Sequence, residues 1–439
     1  MTSTGRKRVV IVGCGFGGLA CANELGGSDC DVVVIDRRNH NLFQPLLYQV
    51  ATAALSPADI AEAIRQTLGR HRNIDVLLAE VTGIDETART VLTDRLAPIS
   101  YDYLVLATGS EYNYFGNEDW REFAPGLKSL REARAIRQRL LLAFEEAEAT
   151  QDEMAQRRLL TSVIVGGGPT GVELAGAIAE LGHYMVDHDY RSIARDRIRV
   201  VLLEAGPRIL PPFPEELAEY AARRLRDRGV DILTGMPVEK IAADEVVAGG
   251  ETIMAGTIVW AAGVKASPAA KWLGVDCDKA GRIAVGSWLE VPDRPNMFAL
   301  GDTSVLEDPA TGKHLPGLAQ VAKQQGRWLG RSLRRQISGR DRGAPFRFKN
   351  RGNTAVIARN AAVFDFGWTQ LKGRTAWFLW AIVHVLLLVS FEKRAVVAVQ
   401  WCWRYLSGRR GARIIDEELP VKPQDEPDPA LADEVHRFR

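Results

Sequence analysis

The chain has few cysteines, almost no net charge and no apolar run long enough to be an unambiguous membrane span. Five cysteines occur in 439 residues: Cys14, Cys21, Cys30, Cys277 and Cys402. None forms a C-x-x-C pair and the number is odd. That argues against a disulfide scaffold, a redox-active cysteine pair and a zinc site. No metal is expected, and Cys14 and Cys21 read as small core residues. The formal net charge is +1, which argues against a general nucleic-acid binder. The apolar stretch Thr375–Phe391 has 17 residues, short of the roughly 20 a spanning helix needs. The first strand is expected at about residue 8, directly after a short basic arm, so no secretory signal is expected and the chain reads as intracellular. The hydrophobic content of 46% and charged content of 25% are those of a globular protein, long enough for two or three domains.

Two glycine fingerprints follow apolar runs. Val9-Val10-Ile11-Val12 leads into Gly13-Cys14-Gly15-Phe16-Gly17-Gly18, and Val163-Ile164-Val165 leads into Gly166-Gly167-Gly168-Pro169-Thr170-Gly171. Both fit G-x-G-x-x-G at a strand-to-helix turn. There the glycines admit a tight turn and a close pyrophosphate, which the helix N-terminus stabilises. Two such turns imply two dinucleotides in one protein, as in a flavoenzyme that takes electrons from a diffusing nicotinamide.

An acid follows each fingerprint at the end of a second strand. Val32–Ile35 ends at Asp36, 23 residues past Gly13. Its carboxylate can accept hydrogen bonds from both ribose hydroxyls, which implies an adenosine and favours FAD over FMN. Val200–Leu203 ends at Glu204, 38 residues past Gly166, against roughly 20 in the simple unit. The excess is expected in a polar insertion over 183–197, after the helix. Glu204 would repel a 2′-phosphate, which favours NADH over NADPH.

Alternating strands and helices predict an α/β fold with two Rossmann-like dinucleotide-binding domains and a C-terminal amphipathic helical region. The expected division is 1–125 (first part of an FAD-binding domain), 126–270 (NADH-binding domain) and 271–345 (second part of the FAD domain). Residues 346–415 form a membrane-association region, and 416–439 a tail without stable structure. Helices are expected over 125–150 and 317–338. Tyr103–Gly109 and Ile258–Gly263 each close a nucleotide unit, which places Ala107, Thr108, Gly109, Ala262 and Gly263 beside ligands. Met297–Asp302 ends a strand at Gly301-Asp302, suited to the flavin ribityl and pyrophosphate region. Gln320 and Gln324 share a helix face at i and i+4.

Between 370 and 415 eight basic residues stand against the single acid Glu392. With Trp401, Trp403 and Tyr405 they suit a membrane interface, so monotopic association is expected. His384, alone in this apolar stretch, reads as a packing or anchoring residue ahead of the alternative, a proton relay near the headgroups.

These motifs resemble those of the type II NADH dehydrogenases, non-proton-pumping NADH:quinone oxidoreductases among the two-dinucleotide-binding-domain flavoproteins. The resemblance covers roughly 8–410. It rests on Val10–Gly18, on Phe43–Thr52 as a flavin-proximal loop, and on Thr170–Gly176 with Glu173. It rests also on Glu204–Arg208 and on the Ala-Gln run Ala319–Gly326. The resemblance implies FAD contacts from Gly13, Gly15, Phe16, Gly17, Gly18, Asp36, Arg37, Thr52, Val81, Ala107, Thr108, Gly109, Gly301, Asp302, Ala319 and Gln320. It implies NADH contacts from Gly168, Pro169, Thr170, Gly171, Glu173, Glu204, Ala262 and Gly263, and a quinone site at Ala319, Gln320 and Gln324. Glu173, Gln320 and Gln324 are its expected catalytic residues, with Glu173 a ring-positioning or proton-relay group or, equally, a carboxylate stabilised by the helix dipole. It further implies a membrane quinone as acceptor, a homodimer, and a place on the cytoplasmic face of the cell membrane. A soluble NADH oxidase or an NADH-responsive redox sensor is the alternative.

Overall fold

Runs of valine and isoleucine with both faces buried belong inside a sheet covered by helices on either side. The computed structural model describes residues 5–388, 390–407 and 413–415. The tail expected over 416–439 lies outside them. The first unit is built from β1 (Lys7–Val12), α1 (Phe16–Leu25), β2 (Cys30–Asp36), the short helix α2 (Leu47–Ala51), β3 (Ile74–Leu78) and β4 (Tyr103–Leu106). After α3 (Leu130–Ala149) come β5 (Thr161–Val165), α4 (Pro169–His188), β6 (Arg199–Glu204), β7 (Val230–Thr234) and β8 (Thr257–Trp260). The chain continues through β9 (Met297–Ala299) and α5 (Ala319–Ile337) into the hairpin strands β10 (Asn353–Ala358), β11 (Ala361–Asp365) and β12 (Gln370–Gly373). It then forms α6 (Arg374–Leu387) and α7 (Phe391–Ser407).

The first sheet has the order β9-β4-β1-β2-β3, all parallel, with Val10 opposite both Val33 and Leu104. β9 returns from far along the chain to pair with β4. The second sheet has the order β7-β6-β5-β8, also parallel. In each, strand order reverses at the strand that carries the glycine turn, β1 or β5. Open α/β sheets place their ligands at that crevice.

α4 lies on β10 through small residues. A Cβ at Gly176 would run into the Ile357 carbonyl. The polar excess before Glu204 is only partly an insertion after the helix. α4 itself continues to His188, and a loop with one 3-10 turn, Arg195–Arg197, fills the rest. The extra length is therefore half helix, because Leu181 and Met185 still find core to bury against.

The apolar stretch Thr375–Phe391 is not one helix. α6 stops at Leu387, with Leu388 extended (ψ 148°), and α7 begins at Phe391. No helix among the described residues is long and apolar enough to cross a membrane. Ala376, Trp380 and His384 fall on the buried face of α6, at i, i+4 and i+8, while Phe378, Ile382 and Leu386 face outward at the same spacing.

Candidate active site: two glycine turns and a buried polar cluster

Each glycine turn is forced by close backbone approach. Gly13 has φ +94°, and a Cβ there would meet the Ala107 carbonyl carbon at 2.8 Å. A Cβ at Gly18 would run into the Gly13 carbonyl. Gly166 has φ +114°, and its Cβ would meet Ala262 N at 2.7 Å. A Cβ at Gly171 would run into the Gly166 carbonyl. The middle glycines differ from these. Gly15 and Gly168 have nothing within 4 Å of an added Cβ. They are open on the side where a pyrophosphate would lie.

The two acids act alike. Asp36 accepts hydrogen bonds from Cys14 N (2.6 Å) and Arg38 N (2.8 Å). Glu204 accepts them from Gly167 N and Gly206 N, both at 2.7 Å. Each carboxylate thus ties its strand end to the glycine turn, and its remaining lone pairs are available to a ribose.

A cavity of about 660 Å³ runs from Asp36, Arg37 and Val81, past Gly13–Gly17, to Thr108, Gly109, Asp302 and Ala319. Its far end is strongly polar. Asp302 accepts from the Ser110 hydroxyl (2.6 Å), and Lys128 Nζ donates to Ser110 Oγ (2.9 Å). Burial lowers the pKa of Lys128, while Asp302 and Glu132 act to raise it. Gly301 N donates to Gln325 Oε1 (2.7 Å), which fixes Asp302. This cleft fits a dinucleotide with an adenosine end at Asp36 and a second ring system near Ala319. Gly15 leaves the room such a molecule needs, and the lysine and backbone amides are donors for its anionic and carbonyl oxygens.

Not every expected residue lines it. Thr52 is fully buried and does not line the cavity, and its hydroxyl donates to the Tyr48 carbonyl at 2.9 Å. Gln320 and Gln324 turn to the backbone of 349–352. Gln320 Nε2 donates to Gly352 O (3.0 Å) and its Oε1 accepts from Arg351 N (3.2 Å). Gln324 makes the same reciprocal pair with Lys349, at 3.0 and 3.1 Å. Ala319 and Ala322, on the adjoining face of α5, line the cleft instead.

Around α2 lies a polar cluster that the sequence did not disclose as a unit. Gln49 Nε2 donates to Tyr48 Oη (3.0 Å). Gln49 Oε1 accepts from Trp401 Nε1 (3.0 Å) and from Arg404 Nη2 (3.3 Å). Glu173, on α4, is deep enough to act electrostatically on Tyr48. Burial pushes the Glu173 carboxyl up to about 8, opposed only by a 3.3 Å hydrogen bond from Val356 N. Desolvation is the larger of these two effects, so at neutral pH this group is largely protonated.

His384 is buried and stacked on Trp380 (4.5 Å), with Phe43 edge-on at 6.1 Å. Burial pushes its pKa down to about 4, so it is neutral at pH 7. Cys14, Cys21 and Cys30 are buried, and no metal-binding cluster occurs among the described residues. Lys128 and Arg38, which line the cleft, were missed from sequence, and Gln49 was named only as part of the Phe43–Thr52 segment. Phe115 was missed too: it is exposed, with φ +53°, and its ring would lie 2.7 Å from a Cβ on Gly263. No periodic or spacing signal marks any of them.

Residues 7–326 match the family model described as pyridine nucleotide-disulphide oxidoreductase. The chain is 38% identical over 427 residues to the type II NADH:quinone oxidoreductase Ndh of Mycobacterium tuberculosis, covering 94% of this chain and 91% of that one. It is 39% identical over 431 residues to NdhA of the same organism, covering 94% and 90%. Among solved structures it is similar to NDH2 from Plasmodium falciparum in complex with NADH. There the TM-score is 0.87 at 21% identity, covering 94% of this chain and 100% of that one.

Proposed function

The chain belongs to the type II NADH:quinone oxidoreductases, and from that premise we propose how its residues carry the reaction. It is an FAD-dependent enzyme that oxidises NADH and reduces a quinone. Bound FAD supplies the redox chemistry, taking a hydride from NADH and passing two electrons to the quinone.

The first cleft would hold FAD, with Asp36 as acceptor for its adenosine ribose, Gly15 leaving room for its pyrophosphate, and Lys128 and Ala319 lining the ring end. NADH docks on the second unit, with its ribose on Glu204 and its pyrophosphate over Gly168-Pro169-Thr170-Gly171. Its nicotinamide half lies beyond β5 toward Ala262 and Gly263, which points it at the first cleft. The protein contributes orientation and exclusion of water; proximity of this kind is worth several kcal/mol of barrier. The observation that carries the reading is the pair of matching clamps, Asp36 on one turn and Glu204 on the other, each beside an open glycine.

NADH, a quinone and one further proton give NAD+ and the quinol, so the protein must deliver one proton. Glu173 holds one at neutral pH, beside Tyr48 on α2, and is the proton donor or relay in this reading. Gln320 and Gln324 shape the quinone pocket. In the resting structure their amides hold the 349–352 backbone, so they reach a quinone carbonyl only by exchanging those bonds.

The C-terminal helices are the membrane-docking surface. Phe378, Ile382, Leu386, Phe391, Trp403 and Leu406 are exposed on α6 and α7, near Arg374, Lys393 and Arg394. Their short length and two-faced burial favour lying on the bilayer over crossing it. The supply of NADH favours the cytoplasmic face. The family resemblance supports a homodimer, checked by the mass of the protein in solution.

The testing experiment is steady-state NADH oxidation by the purified yellow protein without oxygen, with and without a short-chain quinone. Turnover that requires quinone supports the reading. Flavin bleaching without turnover on quinone overturns it.

A further inference from the structure

A second cavity, of about 580 Å³, lies outside the flavin cleft between α1, α5, the helix Ile64–Leu68 and the turn that joins α6 to α7. Its charge is unbalanced. Arg70, Lys323, Arg327 and Arg394 line it, against two carboxylates, Glu24 and Glu62. Both Glu24 oxygens are already held by Arg331, at 3.0 and 3.1 Å. Burial, together with Arg327, Arg351 and Arg394, lowers the pKa of Lys323, and no carboxylate offsets them. Arg70 and Arg394 are braced: Arg70 Nη2 donates to Asn23 Oδ1 (3.1 Å), and Arg394 Nε donates to the Leu388 carbonyl (3.1 Å). Cations gathered and oriented this way repel one another unless an anion joins them.

The rest of the wall is apolar. Leu386, Leu387 and Leu388 line the cavity at the tip of the C-terminal helices, and Phe16, Leu19 and Phe43 line its inner side. Leu386 and Leu387 are also exposed, so the apolar wall continues to the outer surface.

We propose that this cavity binds the phosphate of an anionic amphiphile, with the phosphate among Arg70, Lys323, Arg327 and Arg394 and the acyl part along Leu386–Leu388. This deepens the membrane-docking part of the reading above, because it names the lipid chemistry the docked face recognises. Arg forks suit a phosphate's oxygens, and leucines suit a chain. A quinone headgroup is uncharged and gains little from four cations. Glu62, with one oxygen buried and unpaired, disfavours a second negative charge near it, which points to a phosphodiester over a phosphomonoester.

The test is calorimetric titration of the FAD-loaded enzyme with dihexanoyl-phosphatidylglycerol below its aggregation concentration. Parallel titrations use dihexanoyl-phosphatidylcholine and inorganic phosphate. The expected result is one phosphatidylglycerol per chain, bound at least tenfold tighter than either control. Arg70→Gln with Arg327→Gln should weaken it at least tenfold and leave the rate of flavin bleaching by NADH unchanged. Equal binding of the two lipids, or no effect of the double variant, overturns the proposal. Inorganic phosphate binding as tightly as the lipid makes this a free-phosphate site, and displacement by a short-chain quinone makes it the quinone's approach; each also overturns it. Monomeric lipid needs no bilayer, so cosedimentation with zwitterionic vesicles tests docking separately.

Discussion

Trp401 Nε1 donates a 3.0 Å hydrogen bond to Gln49 Oε1, joining residues 352 positions apart. It fastens α7, whose outer side is exposed and apolar, to α2, beside Tyr48 and Glu173. Arg404 reinforces the joint through Gln49 Oε1 and the Ala54 carbonyl. Trp380 stacks on Trp401 at 5.1 Å, so the indole is held in place while it donates.

Trp401→Phe keeps the stack and removes the donor. A buried hydrogen bond of this kind contributes about 1 kcal/mol, so thermal unfolding should shift down by about 1 °C in a chain of this length. Flavin bleaching by NADH should keep its rate, and the quinone step should slow. Equal slowing of both steps would show that the joint does not act on the quinone side.

The middle and last glycines of the second turn should separate binding from folding. Gly168→Ala places its methyl in open space. The protein should fold with full flavin content while KM for NADH rises at least tenfold. Gly171→Ala drives a methyl into the Gly166 carbonyl, and should cost about 2 kcal/mol or more of stability. Flavin absorbance, unfolding temperature and NADH titration together distinguish the two.

Glu204→Gln keeps the size and removes the charge. Discrimination against NADPH should fall by an order of magnitude or more, read as the ratio of kcat/KM values for the two nucleotides. An unchanged ratio would remove Glu204 from the ribose site.

Glu173 gives a signed pH effect. Its native carboxyl titrates at about 8, against about 4.3 in an unfolded chain. The native state therefore holds a proton that the unfolded state releases, and this contribution is full below about pH 4. It is lost as pH rises toward 8. Glu173→Gln should flatten the fall in unfolding temperature across that window. In the wild type, quinone turnover should decline above pH 8, and the variant should lose that limb along with much of its rate.

What was legible in the sequence is what depends on neighbours along the chain. Gly13, Gly18, Gly166 and Gly171 stand where a turn needs them, and Asp36 and Glu204 end the strands that follow. Periodicity also located α3, expected over 125–150 and found over Leu130–Ala149. The rest depends on distant contacts. Lys128 is a surface-type residue in sequence and becomes a cleft residue only because Ser110 and Asp302 converge on it. Gln320 and Gln324 share a face as their spacing requires, but which partner they meet is set by where residues 349–352 cross α5. Thr52 ends the Phe43–Thr52 segment that reads as the flavin-proximal loop, yet its hydroxyl is taken up by the Tyr48 carbonyl one turn back in α2. The break at Leu388 has no proline or glycine to announce it. It follows from burying Trp380 and Trp401 against each other, which a single straight helix could not do.

The central claim is that one protein-bound flavin is reduced at the Glu204 side and reoxidised at the α2 side. Anaerobic double-mixing stopped-flow tests it directly, following flavin absorbance first with one equivalent of NADH and then with a short-chain quinone. The account predicts rapid bleaching on NADH, slowed at least tenfold in Glu204→Ala, and rapid full recovery on quinone that Glu204→Ala leaves unchanged. Recovery absent with quinone, or slowed by Glu204→Ala as much as the bleaching, would contradict it.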